Sequence, residues 1–108
     1  MNPIHTELAG GRWQTFSLAM QLANVGSEVG RALKAKEKCD EQQLQRCLDR
    51  ALELLDFTIA DPKHRKRLRE LCRLREVICD YFFGENTFHS TPPLLENYFI
   101  YFAIAARQ

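Results

Sequence analysis

Six of the seven residues from Lys63 to Arg69 are basic or can become so: Lys63, His64, Arg65, Lys66, Arg67 and Arg69, broken only by Leu68. A cluster of that kind can hold phosphate oxygens, and binding of that kind weakens steeply with salt. No aromatic, Asn or Gln side chain is interleaved to read base edges, so any recognition would be of a nucleic-acid backbone. The cluster also stands at the start of an expected helix, where the macrodipole disfavours each cation by a few tenths of a kcal/mol. Lys63, Arg65, Lys66, Arg67 and Arg69 are therefore candidates for nucleic-acid binding. The plainer reading is a solvated face.

A second group of polar residues lies among apolar ones. Asn24, Glu28 and Arg31 fall near a stripe of small residues, and Glu53 and Asp56 fall in the middle of another apolar pattern. Asn24, Glu28, Arg31 and Glu53 are expected to form an ionic network that fixes helix register. The sharper alternative is a small polar pocket inside the protein. Metal chemistry has little to work with. Di-metal bundles use Glu-x-x-His pairs, and none of His5, His64 and His89 has Glu three places before it. Asp61 does stand three places before His64, but Pro62 makes it a helix start. Cys72 and Cys79 lie two turns apart on one face, and no Cys-x-x-Cys knuckle occurs. Glycine-rich phosphate loops, the serine elbow and nucleophile–base pairs are absent. The Arg-then-His signature of small helical nucleases also fails, since no histidine follows Asn97. No metal, cofactor, small-molecule substrate or enzymatic activity is indicated.

The elements that position these residues are helices. Residues 1–11 read as a loose lead-in ending at Gly10-Gly11. From Arg12 to Lys38 there is no proline, and Trp13, Phe16, Ala19, Met20, Ala23, Gly26, Val29, Gly30 and Leu33 recur at helical spacing. Within them Ala19, Ala23, Gly26 and Gly30 form a small-residue line, the mark of a backbone approaching closely; a break near Asn24 to Gly30 is the alternative. Asp40, with Gln43 three places on, reads as a capping box opening a helix over 41–60 with Leu44, Cys47, Leu48, Ala51 and Leu55 inward. Asp61-Pro62 reads as a cap followed by proline at the first helical position. The third helix then runs over 62–83 with Leu68, Leu71, Cys72, Ile78, Cys79 and Phe82 inward. Gly84 ends it, residues 85–90 form a loop, and Thr91-Pro92 opens the last helix. No alternating strand pattern appears. The expectation is an all-α, antiparallel four-helix bundle occupying residues 1–108 as one domain.

Charge is nearly balanced overall, at +1, but not helix by helix. Six acids and two bases from Asp40 to Asp61 give −4; seven bases and three acids from Lys63 to Phe83 give +4. These two helices should be neighbours with attracting rims. Met1 leads into Asn2-Pro3-Ile4-His5 with no basic start and apolar run, so a cytoplasmic chain with reduced cysteines is expected. Cys47, Cys72 and Cys79 would then be small core residues. The last helix carries nine residues without a charge, Tyr98 to Ala106. That is far short of the ~20 needed to span a bilayer, so no membrane partner is expected. A helix apolar all round must be covered all round, either as the central post of the bundle or as an assembly surface. Tyr98, Phe99, Tyr101 and Phe102 are the candidate contacts of a homo-oligomer.

At Asn24-Val25-Gly26-Ser27-Glu28-Val29-Gly30-Arg31 the chain resembles the four-helix-bundle proteins encoded in ribosomal-RNA intervening sequences, whose relatives include accessory proteins of diversity-generating retroelements. Asn24, Val25, Gly30 and Arg31 fall in step with that family's Asn-Ile/Val-Ala-Glu-Gly-x-Gly-Arg segment; Glu28 sits one place late and Gly26-Ser27 departs. The resemblance implies a ring-like homo-oligomer with a basic surface for nucleic acid. The stretches 24–31, 50–59 and 73–84 also look like small prokaryotic helical proteins of no known activity. The sequence reading is thus a non-enzymatic scaffold or accessory bundle that self-associates through its last helix, with nucleic-acid-backbone binding as the alternative.

Overall fold

Capping side chains set the boundaries of the helices. The computed structural model describes residues 11–106, and in it four α-helices follow one another: α1 (Leu18–Glu37), α2 (Glu41–Ala60), α3 (Leu68–Phe83) and α4 (Pro92–Ala106). Except for Gly11, the expected lead-in lies outside the described residues. The hydroxyl of Ser17 accepts from the Met20 amide (3.1 Å), the Asp40 carboxylate from the Gln43 amide (3.1 Å), and the Thr91 hydroxyl from the Leu94 amide (3.3 Å). Each satisfies a donor that the first helical turn leaves without a partner. Gln43 does not complete the capping box; its amide turns to the Cys47 sulfur instead.

Two boundaries differ from the periodicity. The 12–38 pattern is not one helix: Arg12–Thr15 is a 3-10 turn, Phe16 is extended, and α1 starts at Leu18. Beyond that point α1 runs unbroken through Gly26 and Gly30. Likewise Pro62–Arg67 is a 3-10 segment with non-helical backbone at His64, and α3 begins only at Leu68. The face that α3 buries is narrower than the periodicity suggests. Leu71, Leu74 and Ile78 face the core, whereas Leu68 and Cys72 are exposed and Cys79 and Phe82 are half-buried. Of the three cysteines expected inside, Cys47 alone is fully buried, and all four are free thiols.

The helices pack as an antiparallel bundle in which α1 lies against both α2 and α4 and α3 lies against α2, and among the described residues there is no strand. Leu22, Val25, Val29 and Leu33 of α1 meet Leu48, Ala51 and Leu55 of α2, Leu71, Leu74 and Ile78 of α3, and Leu95 and Phe99 of α4. The acidic α2 and basic α3 are adjacent, and the Arg75 guanidinium bridges to Asp56 (2.8 Å).

One end of the bundle is closed by a polar cluster that joins four segments. The amide nitrogen of Gln21 donates to the carbonyls of Trp13 (2.9 Å) and Phe16 (3.3 Å) and to the Asp61 carboxylate (3.3 Å). Its carbonyl oxygen faces His64 Nε2 at 2.8 Å. Trp13, just 1% exposed, donates its indole N–H to Thr58 Oγ1 (3.0 Å). Asp61 also accepts from the Lys63 amide (3.1 Å) and pairs with the Lys63 ammonium (3.0 Å), which reaches the Gln14 carbonyl as well. Every buried side-chain nitrogen and oxygen among the described residues has a hydrogen-bond partner.

Burial pushes the His64 imidazole below its ordinary pKa; the Asp61 carboxylate pulls the other way and Lys63 adds to the downward push. For Asp61, burial acts upward, but hydrogen bonds from Lys63 and Gln21 outweigh it and hold the carboxyl below the ordinary range. The sign for stability follows. An unfolded imidazole takes up its proton near pH 6.5 and the folded one resists it, so the unfolded chain binds more protons below that pH. Stability is therefore full above pH 6.5 and falls as the pH drops, by up to about 1.4 kcal/mol per pH unit. Denaturant unfolding at pH 7.5, 6.5 and 5.5 will show this fall, and His64→Gln will flatten it. A second loss, from Asp61, sets in below pH 3.8.

Candidate functional site

The candidate surface is built by α4 and the helix it lies on. Leu95 and Phe99 are one turn apart and both point into the core. Phe99 rests on Gly26: a Cβ at that glycine would lie 2.6 Å from the Phe99 ring. The missing side chain thus lets α4 settle close to the α1 backbone. With Leu95 and Phe99 inward, helical geometry turns Leu94, Ile100, Tyr101 and Ile104 outward. They are 60%, 52%, 73% and 54% exposed. The last helix is therefore neither a central post nor covered on all sides. It is an outer helix with an unpartnered apolar face.

This changes the set of residues at the candidate interface. Phe99 belongs to the core. Tyr98 and Phe102 are half-buried, their rings packed together with centroids 5.2 Å apart. The Tyr98 hydroxyl donates to Glu70 (3.2 Å), and burial, with that carboxylate, pushes the phenol up to about 12. Tyr101 is the one of the four that is mostly exposed, with its ring edge-on to Phe102 (centroids 5.9 Å). Ile100 and Ile104, with Leu94, complete the face; the uncharged run from Tyr98 to Ala106 offers no periodicity by which to single them out.

Beside the exposed face, α1 and α4 enclose a groove with a cavity volume of about 480 Å³. Its lining includes the small Ala23, Gly26, Gly30 and Ala103, the apolar Ile100, and the charged Arg31, Lys34 and Glu96. The two glycines differ. Gly26 is filled by Phe99, whereas among the described residues no heavy atom lies within 4 Å of where a Gly30 side chain would begin. A glycine inside a helix costs about 1 kcal/mol relative to alanine, and at Gly30 no contact among the described residues requires it.

The polar residues separate into two groups. Glu28, buried, pairs with Arg31 (2.8 Å) on its own helix and with Arg50 (3.2 Å) on α2. Arg50 was not expected there; it reaches across because α1 and α2 are antiparallel neighbours. Asn24 donates to the Met20 carbonyl of its own helix (2.8 Å) and takes no part in the pair. Glu53 is half-buried on α2. The groove is bordered by Arg31 but not by Glu28 or Glu53.

The basic segment is exposed except for His64. Lys63 is engaged with Asp61, and Arg67 pairs with Glu70 (3.2 Å). Arg65, Lys66 and Arg69 make no ion pair among the described residues. Among those residues, too, no three His, Cys, Asp or Glu side chains come together as metal ligands, and no helix is long and apolar enough to cross a membrane. No family model, curated protein or solved structure matches the chain.

The two glycines give substitutions of opposite sign. Gly26→Ala forces Phe99 to move and will destabilise the fold by about 1–3 kcal/mol. Gly30→Ala meets open space and will stabilise the isolated chain by up to about 1 kcal/mol. Denaturant midpoints at low protein concentration measure both.

Proposed function

We propose that this chain is a non-enzymatic, cytosolic helical-bundle subunit, a scaffold or accessory protein, that associates with copies of itself through α4. The observation that carries the reading is the row Leu94, Ile100, Tyr101 and Ile104, four large apolar side chains each more than half exposed on one helix face. Large contiguous apolar patches on a soluble surface mark sites of association. Tyr101 is of the kind that anchors interfaces, a rigid ring with a polar tip. The free thiols accord with a reducing compartment.

A second reading rests on Arg65, Lys66 and Arg69, three exposed cations without carboxylate partners among the described residues. They fit the backbone of a nucleic acid, which would be bound through charge alone. The apolar face favours self-association, because three exposed cations are also what a solvated surface looks like.

Sedimentation equilibrium in low and high salt tests the leading reading. A discrete oligomer that persists in high salt is expected, since apolar contact is not screened. Replacing Tyr101 and Ile104 with Glu will weaken it by about 2 kcal/mol or more, roughly 30-fold in Kd. A wild-type chain that stays monomeric at tens of micromolar overturns it. For the second reading, titration with a single-stranded oligonucleotide would have to show affinity falling steeply with salt, and a shallower slope once Arg65, Lys66 and Arg69 are Ala.

A further inference from the structure

Ridge and groove lie side by side on the same face. The ridge is Ile100, Tyr101 and Ile104; the groove runs between α1 and α4 with Gly30 uncovered in its lining. The groove lining carries opposite charges: Lys34 on α1 and Glu96 on α4. Both are exposed, and neither makes an ion pair among the described residues. Arg31, the other cation there, is already held by Glu28. A face with a ridge beside a groove, and a cation across from an anion, is complementary to itself after a two-fold rotation. That is the requirement of an isologous contact, in which residue i meets j and j meets i.

We infer that the α1–α4 groove seats the Ile100–Tyr101 ridge of a second copy in a two-fold contact, with Lys34 of each chain facing Glu96 of the other. The inference rests on the self-association proposed above and gives it a geometry. Gly30 then has a role that the single chain does not provide. Its bare backbone lets the incoming ridge reach the floor of the groove. The charge pairs lie at the rim and set register more than strength.

Charge reversal tests the geometry separately from the association. Lys34→Glu places two acids opposite each other at each rim, and Glu96→Lys two bases, so each variant alone should self-associate on the order of ten-fold more weakly than wild type. Mixed in equal amounts, the two variants regain both pairs, and the heterodimer should form with near wild-type affinity. Gly30→Leu, which fills the groove from a site with room for the side chain, should weaken association while leaving helicity by circular dichroism unchanged. An oligomer indifferent to all three substitutions but broken by Tyr101→Glu would overturn the groove while leaving self-association through α4 standing. Singly weakened variants that fail to recover on mixing would overturn the Lys34–Glu96 pairing. A wild-type monomer would remove both inferences.

Discussion

The contact of Phe99 with Gly26 is the constraint from which the surface of this protein follows. A phenyl ring can lie against the α1 backbone only where no side chain intervenes, and that fixes both the height and the rotation of α4. Once Phe99 and Leu95 are inward, a helix of period 3.6 has no freedom left. Ile100, Tyr101 and Ile104 must face out. The apolar surface is therefore a result of how the core closes, and not of a shortage of core. Leu22, Val25, Val29, Leu48, Leu55, Leu71 and Ile78 already bury themselves among the four helices.

The helices were legible because their punctuation is chemical. Asp40 and Thr91 hold first-turn amides, and Asp61 holds the amide of Lys63 beside Pro62; Ser17, the cap of α1, falls inside a pattern that reads as continuous helix. Legibility fails where tertiary contacts override local pattern. Trp13 and Phe16 fall in helical step with Met20 and Ala23, yet the buried Gln21 amide donates to the carbonyls of both, and Phe16 leaves the helix as extended backbone. Gln21 lies 40 residues before Asp61 and 43 before His64, and no spacing rule links it to them. On α3 the core takes a narrower face than the apolar pattern offers: Leu71, Leu74 and Ile78 are buried, and Leu68 and Cys72 face solvent. On α4 the difficulty was different. A segment apolar on every face gives no periodicity to read, so its direction could come only from the packing of Phe99.

Charge segregation between helices has two outcomes in the fold. The acidic α2 and basic α3 meet as neighbours through Arg75 and Asp56, a contribution of at most about 1 kcal/mol at such exposure. The surplus cations of Arg65, Lys66 and Arg69 stay outside it. The polar residues of α1 follow the same logic: Glu28 is tolerated at low exposure because Arg31 and Arg50 both reach it.

Trp13 is the single tryptophan of the chain, and it is sealed at the end of the bundle where four segments meet. Its indole emission thus reports the environment of one place, the junction of the first 3-10 turn with Gln21, Thr58 and Asp61. Far-ultraviolet circular dichroism reports the helices as a whole. The molecule so carries two independent optical probes of its own cooperativity: coincident curves mean that the closed end and the helices melt as one unit, and an earlier tryptophan transition means that this end opens while the bundle persists.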